Sequence, residues 1–419
     1  MSKNNEDKTM EKIRKENKLI DLFCELISIP SPSLKEDKVA DKIISIFKNH
    51  NIKACKDNYG NVTAKIEATD KTKKPLLLSA HMDVVGDNSP VNFRLNGDFI
   101  ETDKTRTLGA DDKVGVAAAI MLAIELENNK EFKHGGLEII FTKDEEQNMT
   151  GIHNVNMNEI EAEHILVLDA DKLGQVLIAG ASYTKLIVNV KALKGGHSGI
   201  DIDDKTRLNA GKLIAELVNE IPQGVYKKDE MGVVTSINLG VIIGGGIEAA
   251  IDNIKSADIL SSKYTDYILD NAVTNIINTK AGAAYSIRSS SKEFEQNLIN
   301  EIKEITERFN NKYESLAAAN VTTIEHLPPF EKSDDKTIIN AAIQAGEAAD
   351  VKLDISSFHA GAETHIYANN KNKYGKSFKP VLAGLADVYN MHSADEMINY
   401  KSYLKGYEFL KEFFKAFNK

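Results

Sequence analysis

The chain has 419 residues, of which 42% are hydrophobic and 27% charged. It can therefore bury a sizeable core, and it exceeds the ~250–300 residues that a single core usually supports, so we expect two domains. The formal net charge of −10 disfavours nucleic acid or an anionic membrane surface as the main partner.

The first residues are polar and charged, without the apolar core of a signal peptide, and no apolar run approaches ~20 residues. We therefore expect a cytoplasmic protein with no membrane-spanning segment. Cys24 and Cys55 fall in apolar-periodic segments and show no metal-binding spacing. They are expected to be buried free thiols in a reducing compartment.

The N-terminal part of the chain predicts helices followed by short strands. Apolar residues recur at helical spacing from Met10 to Ile29. Ser33, followed three residues later by Glu36, predicts a capping box for a second helix that runs to Phe47. Short strands are then expected at Ile52–Cys55 and Val62–Ile66.

Three apolar runs predict buried strands, at Leu76–Ala80, Gly136–Thr142 and His164–Leu168. Each is followed within two residues by acidic or imidazole side chains. Taken singly, these patterns also fit a core histidine or a plain acidic surface loop. Because ligands bind beyond the carboxyl ends of strands in open α/β sheets, a common site explains them better. The residues are His81, Asp83, Asp144, Glu145, Glu146 and Asp169.

Between the first two of these strands, the small residues Gly109 and Ala110 precede the acids Asp111 and Asp112. An Ala-rich apolar segment follows as far as Leu126 and predicts a buried helix. Acids at a helix N-terminus are stabilised by the helix dipole, but that role needs only one of them. A second acid beside a flexible glycine favours a binding role.

From about Tyr183 the pattern becomes strand, helix, strand, strand, helix, which is typical of an α+β sandwich with its own core. We therefore predict an inserted domain at residues 183–326 within a domain formed by residues 1–182 and 327–419. In the insert, a glycine-rich loop presents His197, and a helix is expected at Asp204–Val218 with Asp203 or Asp204 as its cap. The residues from 248 to 270 predict an additional helical segment.

After the insert, residues 356–363 are expected to form a polar loop that enters a short helix. A strand at Val381–Leu385 then leads to His392. Asp395 and Glu396 are expected to begin a closing amphipathic helix that reaches Phe417.

The candidate residues, two imidazoles and several carboxylates, form a nitrogen and oxygen donor set. Such a set suits Zn²⁺, Co²⁺ or Mn²⁺ better than Ca²⁺. Without thiolates a closed structural zinc site is not expected, and an acid that is not a ligand can act as a general base. The sequence therefore predicts a catalytic metal site.

These motifs, in this order, resemble those of the co-catalytic zinc peptidases that include peptidase T, glutamate carboxypeptidase and aminoacylase. The similarity runs from the first helix to the closing one. It is carried by His81-Met82-Asp83, Gly109-Ala110-Asp111-Asp112-Lys113, Asp144-Glu145-Glu146, Asp169, Gly196-His197-Ser198-Gly199 and Asn390-Met391-His392. It implies an α/β catalytic domain with a mixed sheet flanked by helices, and an inserted α+β sandwich that serves as lid and dimerisation domain.

The resemblance also implies two Zn²⁺ ions per subunit, with Co²⁺ or Mn²⁺ as substitutes. Asp111 would bridge the two ions, His81 and Asp169 would complete one site, and Glu146 and His392 the other. Asp83 would orient the His81 ring. Glu145 would be the general base. The Asp111–Asp112 peptide bond would be cis.

With an Asp at position 169, the chain resembles the aminopeptidases and dipeptidases of this group. It resembles the peptidase T branch most closely. That branch implies release of the N-terminal residue of a tripeptide by a homodimer joined through the lid. Within the lid, His197 would stabilise the oxyanion, while Asn275 and Arg288 would contact the substrate, although an ordinary surface arginine is the alternative for Arg288.

The chain departs from peptidase T at His359 and Ala360, where that enzyme has Thr and Asp, so substrate contacts there must differ. Glu363 and His365 could add polar contacts or simply lie on a helix. The alternatives within the family are a dipeptidase and an N-acyl-amino-acid deacylase. A protein that binds metal or peptide without catalysis is the alternative from a different class.

Overall fold

The computed structural model describes residues 3–245, 269–270 and 272–419; most of the predicted helical segment 248–270 lies outside them. The chain divides into two compact units. The first comprises Met1–Gly180 and Phe330–Lys419, and the second comprises Ala181–Pro329. The boundaries expected from the sequence lie close to these. Within the described ranges, no helix is long and apolar enough to cross a membrane.

An eight-stranded sheet forms the centre of the first unit. Its four middle strands run parallel, and the other pairings include antiparallel ones, so the predicted α/β fold with a mixed sheet is confirmed. Three of these four are the apolar runs that end in acids or histidine. In sheet order the strands are Lys53–Lys56, Val62–Ile66, Leu137–Thr142, Leu76–His81, His164–Ala170, Lys379–Gly384, Gln175–Gly180 and Asp354–Phe358.

The helix Ala110–Asn128 packs against the strands Leu76–His81 and His164–Ala170. It is buried on most sides because it is rich in alanine and aliphatic residues. Gly115 allows the close approach, since a Cβ atom there would lie 2.8 Å from Leu168 Cβ. The other helices of this unit are Lys3–Glu16, Lys18–Ile27, Asp37–Asn49, Glu145–Asn148, Thr150–His153, Met157–Glu159 (a 3₁₀ turn), Thr337–Ala348, Thr364–Ala368 and Tyr400–Phe417.

A four-stranded antiparallel sheet in the first unit supports the loop that carries His392. Val388 pairs with Ile398, so this loop is closed at its base by two hydrogen-bonded strands. His392 itself has a positive φ of 61°. The strands of this sheet are Phe93–Asn96, Phe99–Thr102, Val388–Tyr389 and Met397–Asn399.

The described residues of the second unit form a five-stranded antiparallel sheet together with the helices Ala210–Glu220 and Lys292–Lys312. Alternate residues of its strands, such as Leu186 and Val188, form one core with Leu217 of the first helix. In sheet order the strands are Gly224–Asp229, Gly232–Ile243, Lys280–Ser289, Tyr183–Ala192 and Ala317–Leu327. A separate two-stranded pair joins Gly196–His197 to Ile276–Ile277.

The capping box predicted at Ser33 and Glu36 is wrong. The Ser33 hydroxyl donates instead to Asp83 Oδ2 at 2.7 Å. Glu36 Oε1 accepts from the backbone N–H groups of Leu34 at 2.8 Å and Asp144 at 3.0 Å. The helix therefore begins at Asp37 without a side-chain cap.

Two predicted helix starts are also wrong, because an asparagine caps each helix further along the chain. Asn209 accepts from two backbone N–H groups and starts the helix at Ala210, whereas Asp204 accepts from Thr206 and Arg207. Asn399 likewise caps the closing helix at Tyr400, so the helix does not begin at Asp395 or Glu396.

Three further expectations need correction. The predicted helix from Met10 to Ile29 is two helices separated at Asn17, whose backbone is extended. Residues 354–358 form a strand, because their backbone pairs in parallel with Gln175–Gly180. Cys24 is buried as expected, but Cys55 is exposed because its strand lies at the edge of the large sheet.

Candidate metal centre

The parallel strands of the large sheet end at one edge, and the candidate residues lie there. His81 is the last residue of its strand and pairs in register with Thr142, which ends the neighbouring strand. Asp169 lies near the end of the strand on the other side. Because the strands are parallel, side chains far apart in sequence meet at this edge.

The His81 ring lies between carboxylates on both of its nitrogen atoms. Nδ1 lies 3.3 Å from Asp83 Oδ1. Nε2 lies 3.0 Å from Asp111 Oδ1 and 3.4 Å from Asp169 Oδ1. Asp83 therefore orients the ring so that Nε2 points toward two further carboxylates, which is the usual arrangement around a histidine that binds a metal.

Asp111 lies between the two imidazoles, with one carboxylate oxygen toward each. Its Oδ2 atom lies 3.1 Å from His392 Nε2, which in turn lies 3.0 Å from Glu146 Oε2. The structure thus brings His81, Asp169, Asp111, His392 and Glu146 into one continuous cluster. The Asp111–Asp112 peptide bond is cis, as the resemblance implies.

Two groups of these side chains place their donor atoms within 4.8 Å of one another and could hold a metal ion. One group is His81, Asp111 and Glu146, and the other is His81, Asp112 and Asp169. Asp112 was not predicted as a ligand from the sequence. Its Oδ1 atom accepts from the Gly115 backbone N–H at 2.9 Å, while its Oδ2 atom is buried without a hydrogen-bond partner.

The electrostatics of the cluster favour cations. Burial, together with repulsion from neighbouring acids, raises the pKa of Glu146 to about 7 and that of Asp169 to about 6. Burial would lower the pKa of His81, but Asp169, Asp111 and Asp83 outweigh it and raise that pKa. Glu146 Oε1 is also buried without a partner. Crowded, partly unpaired carboxylates with imidazole nitrogens fit divalent cations such as Zn²⁺.

Glu145 stands at the start of the short helix Glu145–Asn148, beside the cluster. The backbone N–H groups of Glu145 and Glu146 donate to Asp83 Oδ1 at 3.0 Å and Oδ2 at 3.1 Å. One carboxylate therefore fixes both the His81 ring and the backbone of the two glutamates. Burial raises the pKa of Glu145 well above its usual value, which suits a group that must accept a proton near neutral pH.

Glu396 is a buried residue whose role the sequence did not predict. It accepts hydrogen bonds from the Thr107 hydroxyl and from the backbone N–H groups of Gly109 at 2.8 Å and Asp111 at 3.2 Å. It thereby holds the turn that presents Asp111. In the sequence, Glu396 stands shortly after His392 and before the closing helix, and neither position reveals contacts with residues almost three hundred positions away.

Replacing Glu396 with leucine should lower the free energy of unfolding by about 2–4 kcal/mol, because it leaves the buried N–H groups of Gly109 and Asp111 without an acceptor. Glu396→Gln keeps an acceptor oxygen and should cost about 1 kcal/mol. Urea denaturation measures both variants. A leucine variant as stable as the wild type would contradict this role for Glu396.

Glu363 is also buried close to the cluster, and burial raises its pKa to about 7. The Ser79 hydroxyl, two residues before His81, donates to Glu363 Oε2 at 3.1 Å. His365 lies in the helix that follows, packed edge-on against the rings of Phe330 and Phe358. His359 is exposed just after the strand that ends at Phe358.

The remaining predicted residues, His197, Asn275 and Arg288, lie in the second unit. The Ser198 backbone N–H donates to the Asn275 carbonyl at 3.0 Å, so the loops that carry His197 and Asn275 are joined. His197 Nδ1 accepts from the backbone N–H of Gly199 at 3.1 Å, which leaves Nε2 as the N–H donor of a neutral ring. The Arg288 guanidinium lies over the Tyr183 ring, 4.4 Å from its centroid.

The chain is similar in sequence and in fold to known proteins. The model of the Peptidase family M20/M25/M40 matches residues 77–416. The cytosol non-specific dipeptidase of Escherichia coli is 29% identical over 230 residues, which cover 48% of this chain and 46% of the dipeptidase. Peptidase T of Halothermothrix orenii is 29% identical over 226 residues, which cover 52% of each protein. The chain thus spans about half the length of these curated relatives.

A similar fold occurs in the crystal structure of the aminopeptidase PepT from Bacillus cereus. The TM-score is 0.78 with 21% sequence identity, over 96% of this chain and 98% of the other. At this identity the likeness establishes the fold of the chain.

Proposed function

Since this chain belongs to the peptidase family M20/M25/M40, we propose that it is a metal-dependent exopeptidase that releases the N-terminal residue of short peptides, tripeptides above all. The observation that carries the proposal is the position of Asp111. Its two oxygens face the Nε2 atoms of His81 and His392 at 3.0 and 3.1 Å, an arrangement suited to a carboxylate shared by two cations.

In this proposal the chain binds two Zn²⁺ ions, with Co²⁺ or Mn²⁺ as substitutes. His81 and Asp169 would hold one ion, Glu146 and His392 the other, and Asp111 both. Two such cations would polarise the scissile carbonyl and lower the pKa of the attacking water. The approach of Asp169 to His81 Nε2 at 3.4 Å, that of Glu146 to His392 Nε2 at 3.0 Å, and the buried unpaired oxygen of Glu146 support this assignment.

The protein's own residues would move the proton and hold the reacting groups. Glu145 takes the proton from the attacking water and returns it to the leaving amine. Asp83 keeps His81 and the Glu145 backbone in place. The neutral His197 ring would donate from Nε2 to the developing oxyanion, because its Nδ1 atom is already an acceptor.

Arg288 and Asn275 are proposed to contact the substrate. A guanidinium binds a terminal carboxylate through two hydrogen bonds, and stacking on Tyr183 limits its freedom. His359 is a third candidate. We further propose that the protein acts in the cytoplasm as a homodimer joined through the second unit.

A dipeptidase is the second candidate, because the dipeptidase of E. coli matches a comparable share of the chain. An N-acyl-amino-acid deacylase could use the same residues. A non-catalytic metal- or peptide-binding protein is less suitable, since Glu145 has no role in binding alone.

A direct assay separates these functions. Purified protein supplied with Zn²⁺, Co²⁺ or Mn²⁺ should cleave tripeptides with a kcat/KM at least about tenfold higher than for dipeptides or N-acetyl amino acids. Chromatography of the products should show release of the N-terminal residue. A preference for dipeptides would favour the second candidate, and no hydrolysis with any of the three metals would contradict the proposal.

A further inference from the structure

The segment that carries Glu145 and Glu146 is held in an unusual way. We call residues 143–146 the base segment. Each of its four consecutive backbone N–H groups donates to a side-chain oxygen from elsewhere in the chain. Asn61 Oδ1 accepts from Lys143 at 3.1 Å, Glu36 Oε1 from Asp144 at 3.0 Å, and the Asp83 oxygens from Glu145 and Glu146 at 3.0 and 3.1 Å.

Glu36 is the acceptor for the backbone N–H group of Asp144. It is completely buried, lies just before the helix Asp37–Asn49 and does not cap that helix. Its Oε1 atom accepts from both Leu34 and Asp144, and its Oε2 atom lies 3.4 Å from Lys143 Nζ. Burying a carboxylate is costly, and the bonds of Glu36 to Leu34, Lys143 and Asp144 offset part of that cost.

These bonds fix the backbone positions from which the side chains of Glu145 and Glu146 extend. The strand ladder ends at Thr142 and the helix that follows has only four residues, so regular secondary structure gives the base segment little support. Asp144 has a positive φ of 55°, a left-handed conformation that is uncommon for residues other than glycine. Glu36 supplies the acceptor at that residue.

We infer that Glu36 is a positioning residue, which fixes the backbone of Asp144 and thereby aims Glu145 as general base and Glu146 as metal ligand. This inference rests on the proposed function for the roles of the two glutamates. The position of a catalytic group matters steeply, since an error of about 1 Å can cost ~10²-fold in rate.

The test compares Glu36→Met, which removes the acceptor at nearly constant length, with Glu36→Gln, which keeps an acceptor oxygen. Glu138→Met is the matched control. Glu138 is also buried and also accepts from two backbone N–H groups, those of Glu161 and Ala162, but it lies near the opposite end of the strand Leu137–Thr142.

In the metal-loaded enzyme, Glu36→Met should lower kcat by ~10–100-fold, with KM within about threefold. Glu36→Gln should keep kcat within about threefold of the wild-type value. Glu138→Met should have a lower melting temperature than the wild type but an unchanged kcat. Hydrogen exchange should accelerate roughly tenfold at residues 143–146 in Glu36→Met, while it stays unchanged there in Glu138→Met. This second measurement needs no turnover.

Equal losses of kcat in Glu36→Met and Glu138→Met, or unchanged exchange in the base segment, would overturn the inference. If Glu36→Met fails to fold, the Glu36→Gln variant tests the inference. A tenfold loss of kcat in Glu36→Gln at an unchanged melting temperature would also overturn the inference. Wild-type protein that cleaves no peptide would instead refute the proposed function, while the exchange pattern would still test the position of Glu36.

Discussion

Replacing Glu145 with glutamine is expected to lower kcat by ~10²–10⁴-fold, the usual contribution of a general base. The amide keeps the size of the side chain but cannot take a proton from water. The bonds from the Glu145 and Glu146 backbone to Asp83 do not involve the Glu145 side chain, so the fold of the base segment should persist. Steady-state kinetics with a tripeptide measures the loss.

Metal content distinguishes a lost base from a lost ligand. The Glu145→Gln variant should bind as much metal per subunit as the wild type, determined by plasma mass spectrometry after dialysis. The control for the substitution itself is Glu138→Gln. It replaces a buried carboxylate near the start of the strand Leu137–Thr142. Activity within about threefold of wild type would exclude Glu145 as the base.

Asp111→Asn is expected to have the broadest effect of any single substitution in the cluster, because Asp111 contacts both His81 and His392. The variant should lose both metal ions and at least about 10³-fold in activity. Asp169→Asn is the matched comparison, since Asp169 contacts His81 and not His392. It should lose one ion and keep the other.

Titration of each metal-free variant with Zn²⁺ measures the number of ions bound per subunit. Chelator treatment of the wild type should abolish hydrolysis, and added Zn²⁺, Co²⁺ or Mn²⁺ should restore it. An Asp111→Asn variant that still binds two ions, or that loses only one, would show that Asp111 is not shared between them.

The parts of the site that follow strands could be predicted from the sequence. The runs that end at His81, Thr142 and Asp169 are almost wholly apolar, so both their buried strands and the polar residues beyond them are visible as patterns. The parallel order of these strands then determines which side chains meet. The catalytic roles of these residues are predictions that the variants described above test.

The supporting residues could not be predicted, because their partners are distant in the chain. Ser33 and Glu36 have the spacing of a helix cap, yet they bind Asp83 and Asp144. Glu396 precedes the closing helix, yet its partners are Thr107, Gly109 and Asp111. A local pattern describes only a residue's neighbours in sequence, whereas buried polar groups are satisfied by whatever the fold brings near.

The order of strands in the large sheet has a consequence for how the protein is made. The strand Lys379–Gly384 lies between His164–Ala170 and Gln175–Gly180, although it emerges from the ribosome some two hundred residues after them. Until then those two strands each lack a neighbour, and exposed strand edges invite aggregation. A nascent chain would therefore benefit from a chaperone until its C-terminal part has been translated.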